Sequence, residues 1–261
     1  MAPTETELEE KITDNATLEG ERMTFGTRED PLGNNDLQHL ALNREMLNMN
    51  RIITVDSDPS TRTSYKMLRT RLLQNMRTND WRSLAVTSAA QGEGKTLTAI
   101  NLAISMAGDV NHKVCLVDLD MRHSSVASYL HMKVKRGISH CLKGKASLDD
   151  ALVRTSIDRL FVLPNLGQEE NTSELLSSPA MRNISDQFSS NPNNIVIYDM
   201  PPVLAADDML AFAPLVDAVL LVVTEGKTQR TDAMRMVELL GELNVIGTVL
   251  NRSDERTAAY Y

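Results

Sequence analysis

Ser83-Leu84-Ala85-Val86-Thr87-Ser88-Ala89-Ala90-Gln91-Gly92-Glu93-Gly94-Lys95-Thr96 is the stretch that decides the fold. Residues 83–87 read as a short buried strand, small residues and two glycines follow, and the apolar periodicity of residues 95–108 predicts a helix. Strand, glycine-rich turn and helix in that order make a phosphate-binding loop. The small residues let successive backbone N–H groups face one anion, and the helix N-terminus adds the positive end of its dipole. Gln91, Gly92, Glu93, Gly94, Lys95, Thr96 and Leu97 are thus candidate nucleotide contacts. Lys95 is placed to reach the β- and γ-phosphates, and the Thr96 hydroxyl to bind Mg²⁺. Ala89 stands where the strict pattern has its first glycine.

Beyond the loop, short apolar runs alternate with helical stretches. Strands are expected at residues 113–119, 160–163, 195–198, 218–223 and 246–250, and main helices at 180–189 and 228–243. Fully apolar strands separated by helices predict an α/β P-loop NTPase fold: a doubly wound, mainly parallel sheet with helices on both faces. Ligands of such sheets bind at the carboxyl ends of the strands. Two runs end there in acid: Val114-Cys115-Leu116-Val117 leads into Asp118-Leu119-Asp120-Met121-Arg122, and Ile195-Val196-Ile197-Tyr198 into Asp199-Met200-Pro201-Pro202. For Asp199 the expected role is holding Mg²⁺. For Asp118 and Asp120 it is positioning the metal or accepting a proton from an attacking hydroxyl. Arg122 is expected to pair with a phosphate, a neighbouring subunit or a nearby acid.

Upstream of the loop, Asp56 and Pro59 suit a cap and first turn for a basic helix carrying Arg62, Lys66, Arg69, Arg71 and Arg77, and residues 34–50 predict one short helix. Residues 1–50 carry 4 Lys/Arg against 11 Asp/Glu, whereas the remaining 211 hold 23 against 24, so nearly all of the net charge of −8 lies at the start. The expected organisation is an acidic, largely flexible extension over 1–50, a catalytic domain over 51–253 and a flexible tail over 254–261. An acidic chain with pI near 5.2 argues against nucleic acid as a partner, since phosphate-backbone binding needs a basic face. No apolar run reaches bilayer length and no secretory leader is visible, so the cytoplasm is the expected compartment. Cys115 and Cys141 lack metal spacing and read as buried, reduced thiols.

The loop at 92–96, the Asp118-x-Asp120-x-Arg122 strand end and Asp199-x-Pro201-Pro202 together resemble the bacterial tyrosine autokinases of capsule and exopolysaccharide synthesis, in their form without a fused membrane segment. The resemblance covers residues 60–253. It implies ATP-dependent phosphorylation of C-terminal tyrosines in trans between subunits of a ring, with Mg²⁺ as the metal. It also implies a membrane co-polymerase that activates the kinase at the inner face of the cell membrane, and a phosphatase that resets it. By the same resemblance Asn251 and Arg252 lie near the adenine, and Tyr260 and Tyr261 are the phosphorylated residues. The sequence departs from the family at Met200, where Thr is common. It departs again at Thr63, Lys66 and Arg69, where the oligomer helix usually reads Glu-x-x-Arg-x-x-Arg. The alternative class is a partition or septum-positioning ATPase that dimerises on ATP without kinase activity. Those proteins carry an extra lysine early in the loop, where this chain has Ala90, and membrane-binding ones end in a basic amphipathic helix.

Overall fold

Alternation of side chains along buried strands organises the molecule. The computed structural model describes residues 30–253. Its strands are β1 (Gln38–Leu40), β2 (Ser83–Ser88), β3 (Lys113–Asp118), β4 (Val153–Thr155), β5 (Leu160–Leu163), β6 (Asn194–Asp199), β7 (Ala218–Thr224) and β8 (Val245–Asn251). They form one sheet in the order β1-β4-β5-β3-β6-β2-β7-β8. Neighbours are parallel throughout except β4 with β5. The principal helices are α1 (Arg44–Met49), α2 (Pro59–Thr78), α3 (Lys95–Ala107), α4 (Pro179–Phe188), α5 (Asp208–Phe212) and α6 (Arg230–Leu240).

Because successive strand residues point to opposite faces, each central strand feeds two cores at once. Ala85, Cys115, Val117, Val196, Tyr198, Val219 and Leu221 pack on one side, against Met181, Ile184 and Phe188 of α4, Met209 and Phe212 of α5 and Met236 and Leu240 of α6. Leu84, Val86, Val114, Leu116, Ile195, Ile197, Leu220 and Val222 pack on the other, against Leu72, Leu73 and Met76 of α2 and Ile100, Leu102 and Met106 of α3. The Tyr198 ring meets Phe212 edge-on at 4.7 Å, adding a directed aromatic contact to the burial. Two cores on one sheet explain why β2 and β6 are buried at every position.

The six expected strands lie within one residue of their expected bounds, and the helices at 95–108 and 180–189 do likewise. The last helix is shorter than 228–243, because Gln229 caps its start and Gly241 breaks its end at φ 52°.

Residues 34–50 differ in kind. In place of one helix they hold β1, which pairs with β4 through Gln38 and Val153, and then α1, which begins late because the Asn43 side chain accepts the N–H groups of Glu45 and Met46. Only Leu37 and Leu47 of their apolar residues are buried, so no continuous helical stripe faces the core. The fold takes in this segment from Asp30 onward, since Asp30 accepts hydrogen bonds from Asn191 and Asn194 and Leu32 is in the core. Helix α2 is capped by Asp58, not Asp56. Asp58 Oδ2 accepts Thr61 N at 3.1 Å and Pro59 takes the first helical position, where a missing N–H costs nothing. Both cysteines are free, but only Cys115 is buried; Cys141 is partly exposed. The expected extension before Asp30 and the tail with Tyr260 and Tyr261 lie outside the described residues.

Candidate active site

Parallel register brings the acids together. Asp118 on β3 and Asp199 on β6 are direct register partners, and Asp199 is level with Val86 of β2, two residues before that strand gives way to the glycine-rich turn. The carboxyl ends of three adjacent strands therefore open on one spot, and α3 starts there. Gly94 ends the turn at φ 89°, a left-handed conformation, and as the residue before α3 it has no side chain to cap the helix, so the first N–H groups remain available to an anion.

A Cβ at Gly94 would stand 2.0 Å from Asn251 Nδ2. Replacement of Gly94 by Ala is therefore expected to lower the unfolding free energy by about 2 kcal/mol or more, as strain and clash add. Gly144→Ala, at φ 66° with open space around it, should lose about half of that. Urea denaturation of the two variants checks the ordering.

Lys95 Nζ lies 2.6 Å from Asp120 Oδ2 and 3.7 Å from Asp199 Oδ1. It also donates to Thr96 Oγ1 at 3.3 Å. The Thr96 hydroxyl donates to Asp199 Oδ2 at 2.7 Å and accepts from the Ser125 hydroxyl at 3.3 Å. Asp118 Oδ2 accepts the backbone N–H groups of Ser125 and Val126, both at 3.2 Å. The other oxygens, Asp118 Oδ1 and Asp199 Oδ1, are buried without a hydrogen-bond donor.

Three buried carboxylates thus face one ammonium, and the electrostatics follow. Burial, reinforced by the charge of Asp199, holds the Asp118 carboxyl well above the usual carboxylate range. Burial also raises Asp199, although Lys95 and the Thr96 hydroxyl partly offset it. Burial alone would depress the Lys95 ammonium, but Asp199 and Asp120 outweigh it and its pKa is raised. Excess buried negative charge with two oxygens that accept no hydrogen bond is what a divalent cation would satisfy. Among the described residues no three carboxylate, histidine or cysteine side chains form a ready-made metal cage. Mg²⁺ keeps waters and shares its coordination with phosphates, so it would need only a few ligands from the chain.

The remaining loop residues divide. Glu93 does not face the cleft with its side chain: Oε2 accepts Ala90 N at 2.9 Å and Oε1 accepts the Thr228 hydroxyl, so its carboxylate braces the turn from behind. Its carbonyl accepts from Thr224 Oγ1 at 2.8 Å and Asn251 Nδ2 at 2.9 Å. Gln91 and Gly92 offer carbonyls to Lys227 Nζ at 2.8 Å and Arg252 Nη2 at 3.1 Å. Gly94, Leu97, Asn251 and Arg252 line one cavity of about 860 Å³ with Tyr65, Asn101 and Tyr129. Arg122 is drawn away from the loop to Asp208, a fully buried acid, at 3.3 Å; the Thr172 hydroxyl holds the other oxygen of Asp208. Of the three partners expected for Arg122, the nearby acid is present in the chain itself.

Sequence reading missed Asp208, Ser125 and the segment 224–228, none of which carries a motif. Only the apolar strand ending at Thr224 pointed to where the last of these would emerge.

The AAA domain family matches residues 81–248. The tyrosine-protein kinase YwqD of Bacillus subtilis is 30% identical over 207 residues, 78% of this chain and 86% of the relative. The succinoglycan biosynthesis transport protein ExoP of Rhizobium meliloti is 29% identical over 80% of this chain and 27% of its own length. Among solved structures, the chimerical protein CapA2B2 superposes with a TM-score of 0.71 at 28% identity, covering 83% of this chain and 93% of that one.

Proposed function

The chain belongs to the AAA domain family and, within it, to the bacterial tyrosine-protein kinases of which YwqD is one, and from that premise we propose that it is an ATP-dependent tyrosine autokinase serving exopolysaccharide or capsule synthesis and export. The observation that carries the reading is the convergence of Lys95, Thr96, Asp118, Asp120 and Asp199 on one buried spot at the mouth of the glycine-rich turn. A site with this many acids around one lysine is built for charge transfer and metal chemistry, and mere docking of a nucleotide would not need it.

The backbone of Gln91 to Leu97 cradles the phosphates, and Lys95 neutralises charge on the phosphoryl group in transfer. Thr96, Asp199 and Asp118 would hold Mg²⁺, which would supply positive charge against that of the phosphates. The incoming tyrosine oxygen bonds to the γ-phosphorus as the bond to the ADP oxygen breaks, and the phenolic proton passes to Asp118, aided by Asp120. Asp118 is buried at its strand end beside Asp199, a position from which a carboxylate can take that proton. The cavity lined by Leu97, Asn251 and Arg252 has room for the adenine and ribose. Tyr65, Tyr129 and Tyr198 belong to α2, a short helix and β6 and are partly or fully buried, which leaves Tyr260 and Tyr261 as the substrates. We place the protein in the cytoplasm, as a homo-oligomer, recruited to the inner membrane face by a co-polymerase and reset by a phosphatase. No helix among the described residues is long and apolar enough to cross a membrane.

Mass spectrometry after incubation with ATP and Mg²⁺ tests the reading. Phosphate is expected on Tyr260 or Tyr261, and a variant with both changed to Phe should lose at least ~90% of the label while binding ADP as before, since each site adds a discrete dianionic group. ATP hydrolysis without any phosphotyrosine would reject the kinase assignment.

A further inference from the structure

Lys227 is the cation that none of the motifs accounts for. It lies in the segment joining β7 to α6, exposed, with Nζ donating to the Gln91 carbonyl at 2.8 Å and standing 3.1 Å from where a Cβ on Gly92 would be. Its backbone is fixed relative to the loop from both sides, because the Thr224 hydroxyl bonds the Glu93 carbonyl and the Thr228 hydroxyl bonds the Glu93 carboxylate. An ammonium has three protons to donate, and the carbonyl uses one.

The charge inventory of the site says what the others are for. Within the loop Lys95 is the one cation, and it is flanked by Asp120 and Asp199. Arg122 turns its Nε to Asp208, and Ala90 offers no polar group. Arg252 reaches the neighbouring Gly92 carbonyl, and Mg²⁺ would sit among the acids, yet three buried carboxyls together with a triphosphate still carry more negative charge than these cations offset. Thr224, Thr228 and Asn251 hold the neighbouring Glu93, so the contact of Lys227 with the Gln91 carbonyl adds to a turn that is already tied down on one side.

We infer that Lys227 is a further catalytic residue whose ammonium bonds the γ-phosphate of ATP and stabilises the charge on that group as it is transferred. This rests on the kinase reading above. It places a further cation of the site on a different element from the phosphate loop, in cis, at the turn of Gln91 and Gly92.

The test is isothermal calorimetry of the full chain with ADP and with a non-hydrolysable ATP analogue, both with Mg²⁺, alongside the single-turnover rate of tyrosine phosphorylation, for wild type, Lys227→Gln and Lys227→Arg. Lys227→Gln is expected to bind ADP within about twofold of wild type, to bind the ATP analogue about tenfold more weakly and to transfer phosphate about 100-fold more slowly, the scale for loss of one transition-state donor. Lys227→Arg should recover most of both losses. Equal weakening of ADP and the analogue would make Lys227 a brace of the loop and overturn the proposal, and so would an unchanged transfer rate. Wild type that binds neither nucleotide would reject the kinase reading itself, a result distinguishable from the other two.

Discussion

Lys95→Met is expected to abolish phosphotyrosine, with a fall in transfer rate of at least ~1,000-fold, because a developing phosphoryl charge loses the ammonium that was preorganised for it. The structure adds a second consequence. Lys95 is buried against Asp120 at 2.6 Å and Asp199 at 3.7 Å, so removing it strips the only ammonium from three buried carboxyls. Breaking a buried pair in this way costs about 3 kcal/mol at neutral pH. The sign with pH follows from the carboxyls. In acid they take up protons and no longer need the cation, so the stability gap between wild type and Lys95→Met should close as pH falls toward 4 and widen toward 8. Urea titrations at several pH values together with anti-phosphotyrosine blotting read both effects. Undiminished label in the variant would remove Lys95 from the site.

Asp118→Asn separates activity from stability in the opposite sense. The carboxyl of Asp118 is buried, faces Asp199 across the register pair, and is held well above its ordinary pKa, so ionising it costs more in the fold than in the unfolded chain. Between the unfolded pKa near 4 and the raised folded value, the native state binds the extra proton, and stability falls as pH rises through that window. Asparagine carries no such charge. Its oxygen can still accept from Ser125 and Val126, and its amide replaces the unpartnered Oδ1 beside Asp199. The nucleotide-free variant should melt roughly 3–5 °C above wild type near pH 7.5, and the two should converge near pH 4. Phosphate transfer should meanwhile drop by about 100-fold or more, the usual share of a general base. A variant that melts below wild type at pH 7.5 would mean that the ionised carboxylate is a stabilising group.

The loop-to-helix junction and the acids of β3 and β6 were legible because each depends on a few consecutive residues. An apolar run fixes a buried strand, a glycine pair fixes a turn, and whatever polar residue comes next must emerge at the strand end. The same locality explains the failures. β1 and β4 are three residues each, too short for a period to register, and they exist because they pair across more than a hundred residues of chain. The helix expected over residues 34–50 was drawn from spacing alone, and the Asn43 cap together with the pairing of β1 with β4 overrode it.

By itself, then, the sequence determined which residues could do chemistry: one lysine and one threonine on a phosphate loop, and acids at the ends of two buried strands. Tertiary structure decided which of them meet and what each is free to do. Parallel register set Asp118 beside Asp199, a single contact turned Arg122 toward Asp208, and the turn after β7 delivered Lys227 to the loop. The physical reason is that hydrophobic periodicity and turn chemistry act over a few residues, whereas charge acts through space, and the distances between charges are set only when the strands lie side by side.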